Sequence, residues 1–215
     1  MRLPTMTTSR DLLFVSLDQV SGGAVEQGDL SLALAGAEVI DLLGVEAVVL
    51  DGDRIVPGHV PSLTDPLLDR AASSLVRDAP FESVGDWLWR RGRGLSAAYL
   101  AVLEAEGKLA RRHRHGVPFG AGRIVPEDSP DRSDAASRWA SGEPVLVGLA
   151  AALGIRGGDG GEGEEGVGAA DFPGVDDDVL DTVLAAVHEA LTQLEAVRLR
   201  RSVEQAAFDN IWRGE

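Results

Sequence analysis

The sequence contains no cysteine and only one lysine, Lys108. The missing cysteine excludes disulfide bonds, thiolate zinc sites and cysteine nucleophiles, and it is typical of a protein from a reducing cytoplasm. The first ten residues are polar and lack the continuous apolar segment of a secretory signal peptide. No stretch approaches about 18 uncharged apolar residues, so the sequence predicts no transmembrane helix. We therefore expect a cytoplasmic protein whose contact with a membrane is peripheral, at the inner face of the cytoplasmic membrane.

The composition is that of a folded, acidic protein. Its 215 residues, 44% of them hydrophobic, are enough to bury a core. The formal net charge of -15 opposes binding to nucleic acid, because such binding depends on neutralising phosphates. Arginine carries nearly all the positive charge, and with abundant glycine this preference indicates a GC-rich bacterial genome. No serine–histidine–aspartate or paired-carboxylate pattern stands out, so we expect no enzymatic activity and no cofactor.

Positive charge is concentrated in one stretch of this acidic chain. Between residues 87 and 123 there are eight basic and two acidic side chains, so the stretch carries eight minus two, or +6. The rest of the chain then carries -15 minus +6, or -21. Such segregation predicts a cationic face that meets an anionic partner. The basic residues are Arg90, Arg91, Arg93, Lys108, Arg111, Arg112, Arg114 and Arg123.

Hydrophobic periodicity and turn signals predict a mainly α-helical chain with hairpins. Apolar residues recur at three- and four-residue spacing over residues 30–43, which is typical of a helix. An Asp-Gly turn between apolar runs predicts a β-hairpin over residues 47–56. Thr64 or Asp65, followed by a proline, marks the start of another helix. For residues 11–17 the apolar pattern leaves a helix and a buried strand equally open.

The rest of the chain predicts further helices and one linker. Helices are expected over residues 83–89, 95–106, 133–139 and 145–153, with two short strands within 108–125. Residues 157–168 are acidic and glycine-rich, which favours a mobile linker before a long helix that starts near Asp176. The expected organisation is a disordered N-terminus (1–9), a compact core (10–156), the linker (157–174) and C-terminal helices packing on the core (175–215).

Several segments, taken in order, resemble the GOLPH3 family, also called GPP34. They are residues 11–17 (Asp-Leu-Leu-Phe-Val-Ser-Leu), 34–42 (Leu-Ala-Gly-Ala-Glu-Val-Ile-Asp-Leu), 64–69 (Thr-Asp-Pro-Leu-Leu-Asp), the helix around Trp87, and 103–109 (Leu-Glu-Ala-Glu-Gly-Lys-Leu). Each motif alone is weak, but their common order covers roughly residues 10 to 155. The chain therefore resembles a bacterial member of this family.

The resemblance implies a compact helical domain with β-hairpins that acts without catalysis. Eukaryotic members of the family are peripheral Golgi proteins that bind phosphatidylinositol 4-phosphate and retain glycosyltransferases. Their headgroup pocket uses one tryptophan and several cationic side chains. By resemblance Arg93 matches one pocket arginine. Ser96 and Ala35 stand at two other cationic positions, and the tryptophan position falls near Glu26.

The resulting hypothesis is a peripheral adaptor that binds anionic lipid headgroups through a basic patch. The predicted headgroup-binding residues are Arg90, Arg91, Arg93, Arg111, Arg112 and Arg114. Val117 and Phe119, at the tip of the second hairpin, are expected to contact the membrane or a second copy. His113 and His115 lack a third ligand, so no metal site is expected. The alternative is a soluble protein-interaction scaffold that has lost phosphoinositide binding and uses the same basic face or the C-terminal helix.

Overall fold

A computed structural model describes residues 7–18, 25–59, 62–112, 123–156 and 175–213, with side chains described as far as residue 205. This part of the chain forms eight helices and two antiparallel hairpins. The helices are α1 (Thr8–Asp18), α2 (Gln27–Gly44), α3 (Pro66–Ser73), α4 (Val84–Arg91), α5 (Leu95–Ala105), α6 (Pro130–Ala140), α7 (Pro144–Ala152) and α8 (Asp177–Arg213). The strands are β1 (Val48–Asp51), β2 (Arg54–Pro57), β3 (Leu109–Arg112) and β4 (Arg123–Pro126). The prediction of a mainly α-helical fold with hairpins and a long C-terminal helix is confirmed.

Helix α2 forms the centre of the molecule. Every residue from Leu30 to Leu43 is buried. A helix that is apolar around most of its circumference has to be covered on all sides. Helices α1, α4, α5 and α8 provide that cover, with smaller contributions from α3 and α7. The hydrophobic core therefore lies between α2 and the helices that surround it. The candidate site lies at the N-terminal end of α2.

The two hairpins follow the pattern predicted from the sequence. In the first, β1 pairs with β2 so that Leu50 lies opposite Ile55. Gly52 has a φ of 60°, the left-handed conformation that the tight turn requires. In the second, β3 pairs with β4, and Arg112 lies opposite Arg123. The second hairpin therefore brings both ends of the predicted basic tip together at the surface.

Helix starts also follow the predicted capping pattern. Asp65 Oδ1 accepts hydrogen bonds from the backbone N–H groups of Leu67 (2.7 Å) and Leu68 (3.0 Å) at the start of α3. The Ser83 hydroxyl oxygen accepts one from the Asp86 N–H (3.1 Å) at the start of α4. Each cap satisfies backbone donors that have no partner inside their own helix. The boundaries of α3 and α4 are thus fixed by local chemistry.

The structure of α1 corrects one prediction and decides between two alternatives that the sequence left open. Residues 11–17, which the sequence left open, are helical, and the helix begins at Thr8 rather than after a disordered segment 1–9. The cap of α1 comes from Asp41 on α2. Its carboxylate accepts the Thr8 N–H at 2.7 Å and the Ser9 N–H at 3.1 Å, with the Ser9 hydroxyl donating at 2.8 Å. Because the capping residue is 33 positions away, no local pattern signals this start.

The C-terminal region is one helix rather than several. Helix α8 runs without a break from Asp177 to Arg213. Leu180, Val183, Val187 and Ala190 on one face of α8 are buried against α2 and its neighbours. Gly36 of α2 makes this contact close, because a Cβ atom at that position would collide with Cγ2 of Val187. The linker expected over residues 157–174 lies outside the described residues.

Helices α1 and α2 carry three buried acidic side chains, Asp11, Glu38 and Asp41. Asp11 is 1% exposed and accepts a hydrogen bond from Arg138 of α6. Burial raises the pKa of Asp11 to about 7, although Arg138 lowers it. Burial also raises the pKa of Asp41 and of Glu38, against the hydrogen bonds that these carboxylates accept. The folded protein therefore holds protons on these groups more tightly than the unfolded chain does.

Replacing Gly36 by alanine tests the close contact between α2 and α8. We expect Gly36→Ala to lower the free energy of unfolding by about 1 to 2 kcal/mol, because overpacking against Val187 outweighs the better helix propensity of alanine. Adding Val187→Ala should make the two changes strongly non-additive, since the second substitution removes the colliding atom. Urea unfolding of the two single variants and the double variant measures this. Additive effects would contradict the contact.

The buried Asp11 predicts a pH dependence of stability. Its pKa rises from 3.8 in the unfolded chain to about 7 in the folded protein. The folded state thus binds more protons between these values, so stability is highest below pH 4 for this group and falls as the pH rises toward 7. The slope from one such group is about 1.4 kcal/mol per pH unit.

Asp11→Asn should remove this contribution to the slope. The measurement is the free energy of urea unfolding at several pH values within the window, for wild type and variant. Asp181→Asn, which changes an exposed acid on α8, is the matched control and should keep the wild-type slope. An unchanged slope in Asp11→Asn would show that another group carries the pH dependence.

Candidate functional site

A cavity of about 340 Å³ opens between the start of α2, the α4–α5 turn and the middle of α8. Helix α2 contributes Gln27, Ser31 and Leu32 to its lining. The α4–α5 turn contributes Arg93, and α8 contributes Leu194. The lining is mostly apolar, with one cationic side chain. Such a cavity suits a ligand with one anionic group and an apolar body.

The α4–α5 turn places Arg93 at the mouth of this cavity. Gly94 has a φ of 69°, a left-handed conformation that lets the chain reverse before α5. Gly92 is in close contact with α2, because a Cβ atom there would lie 3.2 Å from Cδ2 of Leu32. Arg93, between these two glycines, is exposed to solvent. Within the part of the chain that the structure describes, its guanidinium group forms no ion pair.

A hydroxyl network closes the inner end of the cavity. The Ser31 hydroxyl donates to the Ser96 hydroxyl oxygen (2.9 Å), and the Ser96 hydroxyl donates to the Gln27 carbonyl (3.1 Å). The Ser96 backbone N–H in turn donates to the Ser31 hydroxyl oxygen at 3.0 Å. Ser96 is 2% exposed. Ser96, the position that the resemblance matches to a second pocket cation, thus ties α5 to α2 with neutral hydrogen bonds.

Two tryptophans of α4 have different surroundings. Trp87 is fully buried and donates its Nε1–H to the carbonyl of Ala35 (3.1 Å), as expected for a core residue. Trp89 is 37% exposed and lines the cavity. Tryptophan at such a border presents an apolar ring to a ligand while one edge remains in water. Trp89 is therefore the largest apolar group available to a molecule in the cavity.

Most of the predicted headgroup-binding arginines that the structure describes have acidic partners, beginning with those of α4. Arg91 donates hydrogen bonds from Nε and Nη2 to the two oxygens of the buried Glu38 carboxylate, at 2.7 and 2.8 Å. Glu38 also accepts a hydrogen bond from the Tyr99 hydroxyl at 3.2 Å. Arg90 makes a similar bidentate pair with Glu82, at 2.7 Å for both bonds. Arg91 therefore belongs to the core, and Arg90 already has an anionic partner.

The basic residues of the second hairpin are also paired. Arg111 donates to Glu104 at 3.0 and 3.2 Å, and Arg112 lies 3.7 Å from Glu127. Lys108 is 2.8 Å from Glu106 and also contacts Asp131. Four of the acids that pair with the basic stretch lie outside it in sequence, so the fold partly neutralises a charge that the sequence had segregated. They are Glu38, Glu82, Glu127 and Asp131. The predicted residues Arg114, Val117 and Phe119, and His113 and His115, lie outside the described residues.

The positions carried over from the family resemblance are only partly brought together. Arg93 and Ser96 line the same cavity, and Gln27 beside Glu26 lines it as well. Ala35 is fully buried in the core and takes no part in the lining. The sequence did not indicate that Leu32 and Leu194 form an apolar wall of the cavity. Both residues appear in sequence as ordinary members of helical apolar stripes, and only the packing of α8 on α2 aligns them.

The described residues contain neither a metal-binding cluster nor a membrane-spanning helix. No group of three or more histidine, cysteine, aspartate or glutamate side chains there is arranged to hold a metal ion. No helix in that part of the chain has the length and hydropathy needed to span a membrane. The cavity at Arg93 is a candidate for ligand binding because it combines one cation without an ion-pair partner in the described residues with an apolar lining.

Comparison with known proteins identifies one family. A family model described as Golgi phosphoprotein 3 (GPP34) matches residues 9–194. This range includes helices α1 to α7, both hairpins and the first half of α8. A search of curated proteins finds no match. The matched range ends at Leu194, which is also the residue that α8 contributes to the cavity.

Replacing Arg91 distinguishes a core role from a ligand-binding role. Arg91→Ala should lower the free energy of unfolding by about 3 to 5 kcal/mol, because it leaves the Glu38 carboxylate buried without its partner. Arg90→Ala removes an exposed pair with Glu82 and should cost about 1 kcal/mol or less. Urea unfolding of both variants measures the difference. A fully stable Arg91→Ala variant would show that this residue is not part of the core.

Proposed function

The chain belongs to the Golgi phosphoprotein 3 (GPP34) family, and from this premise we propose that it is a non-enzymatic peripheral adaptor that binds anionic lipid headgroups. The observation that carries the proposal is the exposed Arg93 at the mouth of the α2–α5–α8 cavity. Its guanidinium group has no ion-pair partner within the described residues, so it is available for an anion. The proposed location is the inner face of the cytoplasmic membrane.

The lining of the cavity favours a lipid over a free polyanion. Arg93 supplies one cation, whereas Ser96 occupies a second cationic position of the family with a buried neutral hydroxyl. Trp89, Leu32 and Leu194 supply apolar surface beside it. A planar guanidinium binds one phosphate through two hydrogen bonds. We propose that Arg93 binds the phosphate while the apolar wall contacts the glycerol and upper acyl region.

The hairpin arginines add a weaker, long-range attraction in this proposal. Arg111 and Arg112 are 48% and 69% exposed at their side chains although each faces an acid. Exposed ion pairs are worth little, so an anionic surface can compete with Glu104 and Glu127. Each cation near an anionic leaflet contributes about 1 kcal/mol, reduced by salt. Arg114, Val117 and Phe119 are proposed to extend this contact at the tip.

The second candidate is a protein-interaction scaffold without lipid binding. It is favoured by the pairing of Arg90, Arg91 and Arg111 with acids of the same chain. A surface neutralised in this way attracts an anionic membrane less than the sequence alone implies. The two candidates differ in one property that is simple to measure, which is whether the protein binds vesicles at all.

Vesicle cosedimentation tests the proposal. The full chain is mixed with phosphatidylcholine vesicles that contain phosphatidylglycerol, cardiolipin or phosphatidylinositol 4-phosphate, at low and at physiological salt. We expect pelleting with the anionic vesicles that weakens as salt rises. Arg93→Gln should weaken binding roughly tenfold, which corresponds to the loss of one charge-assisted contact.

Matched variants separate the cavity from general charge. Arg77→Gln removes an exposed arginine that does not line the cavity and should bind like wild type. Changing Arg111, Arg112 and Arg114 together to glutamate should remove most of the salt-sensitive part of binding. If wild type fails to pellet at either salt, the scaffold is the better proposal. If Arg93→Gln and Arg77→Gln pellet alike, the cavity is not the headgroup site.

A further inference from the structure

Helix α8 continues well beyond the part of the chain that the family model matches. The match ends at Leu194, whereas the helix runs to Arg213. Arg198, one turn later, donates to both carboxylate oxygens of Asp29 on α2, at 2.8 and 2.9 Å. Beyond Arg198 the described side chains of α8 are exposed. Leu199 is 59% exposed there and Val203 is 67% exposed.

These exposed apolar residues belong to a second, outward stripe on α8. Its members follow each other at alternating spacings of three and four residues, the spacing that keeps side chains on one side of a helix. They are Thr182, Ala185, Glu189, Thr192, Ala196, Leu199 and Val203. The buried stripe that includes Val183 and Val187 occupies a different face. The side chains of the outward stripe are mostly small at its N-terminal end, whereas those at its C-terminal end are large and apolar.

The small end of the outward stripe borders a groove between α4 and α8. This groove has a volume of about 560 Å³. Small apolar surfaces of Gly85, Ala185 and Ala186 line it, together with the acids Asp53, Asp86 and Glu189. A groove of this kind has room for large apolar side chains, and its acidic residues would attract a cation.

The exposed end of the same helix has the matching features. Leu199 and Val203 are large and apolar, and Arg200 lies beside them on the helix surface. Arg200 is exposed and forms no ion pair with any residue that the structure describes. We propose that two copies of this chain pair through antiparallel α8 helices, so that the end of each helix lies in the α4–α8 groove of its partner. Arg200 then faces Asp86 across the contact, while Asp53 beside it lies 3.5 Å from Arg54.

The symmetry of the stripe supports a second copy as the occupant. In an antiparallel pair centred near residue 194, Val203 of one copy lies opposite Ala185 of the other, and Leu199 lies opposite Glu189. Ala196 and Thr192 meet near the axis, where small side chains allow the helices to approach. Because the contact is twofold symmetric, each of these interactions occurs twice. Both halves of the contact are present on one chain, so no other partner is required.

The charge of the extension argues against a membrane as its occupant. Residues 195–205 contain three arginines and two glutamates, a net charge of three minus two, or +1. One of these arginines, Arg198, is already bound to Asp29. The remaining charge gives an anionic leaflet almost no electrostatic attraction. The groove, in contrast, is lined by the carboxylates of Asp86 and Glu189, and by Asp53, which lies 3.5 Å from Arg54.

Sedimentation equilibrium of the full chain over a range of concentrations tests the proposal. Wild type should show a reversible equilibrium between monomer and dimer. Leu199→Glu combined with Val203→Glu should weaken the dimer by about a hundredfold or more, since each buried apolar side chain is lost twice. Val49→Glu changes an equally exposed apolar residue on β1 and should dimerise like wild type. Circular dichroism confirms that all three proteins are folded.

The outcomes decide the proposal in both directions. A wild type that is monomeric at every concentration overturns it, and so does a dimer that the Leu199/Val203 variant leaves intact. Loss of vesicle binding in that variant, with a monomeric wild type, would make the extension a membrane element instead. Failure of Arg93 to bind headgroups would leave this test unaffected, because none of the residues changed here lines the cavity.

Disulfide trapping tests the antiparallel register, and the absence of cysteine from the chain makes it clean. Ala185→Cys and Val203→Cys are prepared as separate proteins and mixed under mild oxidation. The mixture should give a cross-linked heterodimer, because the two positions face each other across the antiparallel contact. Either protein alone should cross-link much less. Efficient cross-linking of Ala185→Cys with itself would indicate a parallel pair and overturn the proposal.

Discussion

The structure depends on two carboxylates that lie one turn apart on the buried helix α2. Asp41 caps α1 by accepting the backbone N–H groups of Thr8 and Ser9. Glu38 holds α4 through the bidentate pair with Arg91 and α5 through the Tyr99 hydroxyl. A buried carboxylate without such partners costs several kcal/mol, so each of these contacts has to form for the helices to pack. The pair thereby fixes where three helices lie around α2, more than it adds to net stability.

This requirement explains what became of the positive charge. The buried Glu38 carboxylate requires a partner, and Arg91 provides it. At the surface, Arg90 pairs with Glu82 and Arg111 pairs with Glu104. Arg93 lies in the α4–α5 turn, where Gly92 packs against α2, and it forms no ion pair within the described part of the chain. The candidate site thus contains one of the cations that the fold leaves unpaired among the described residues.

The sequence predicted those features whose causes are local. The Asp65–Pro66 helix start and the Gly52 turn depend on neighbouring residues, so short patterns were enough. Arg93, which the family resemblance suggested, also lies in a short turn. The ion pairs could not be predicted in this way. Arg91 and Glu38 are 53 residues apart, so only the assembled fold reveals that their charges cancel.

One residue of α4, Trp89, borders both proposed sites. Trp89 lines the cavity at Arg93 and also the α4–α8 groove, and it is only 37% exposed. The Trp89 ring cannot extend into the cavity and the groove at the same time, because the atoms packed on its buried side hold it in one place. A ligand that shifts the Trp89 ring in the cavity therefore also changes the groove that receives the partner helix. If both proposals hold, linkage requires the two effects to be equal, so that pairing of two chains would change headgroup affinity by the same factor.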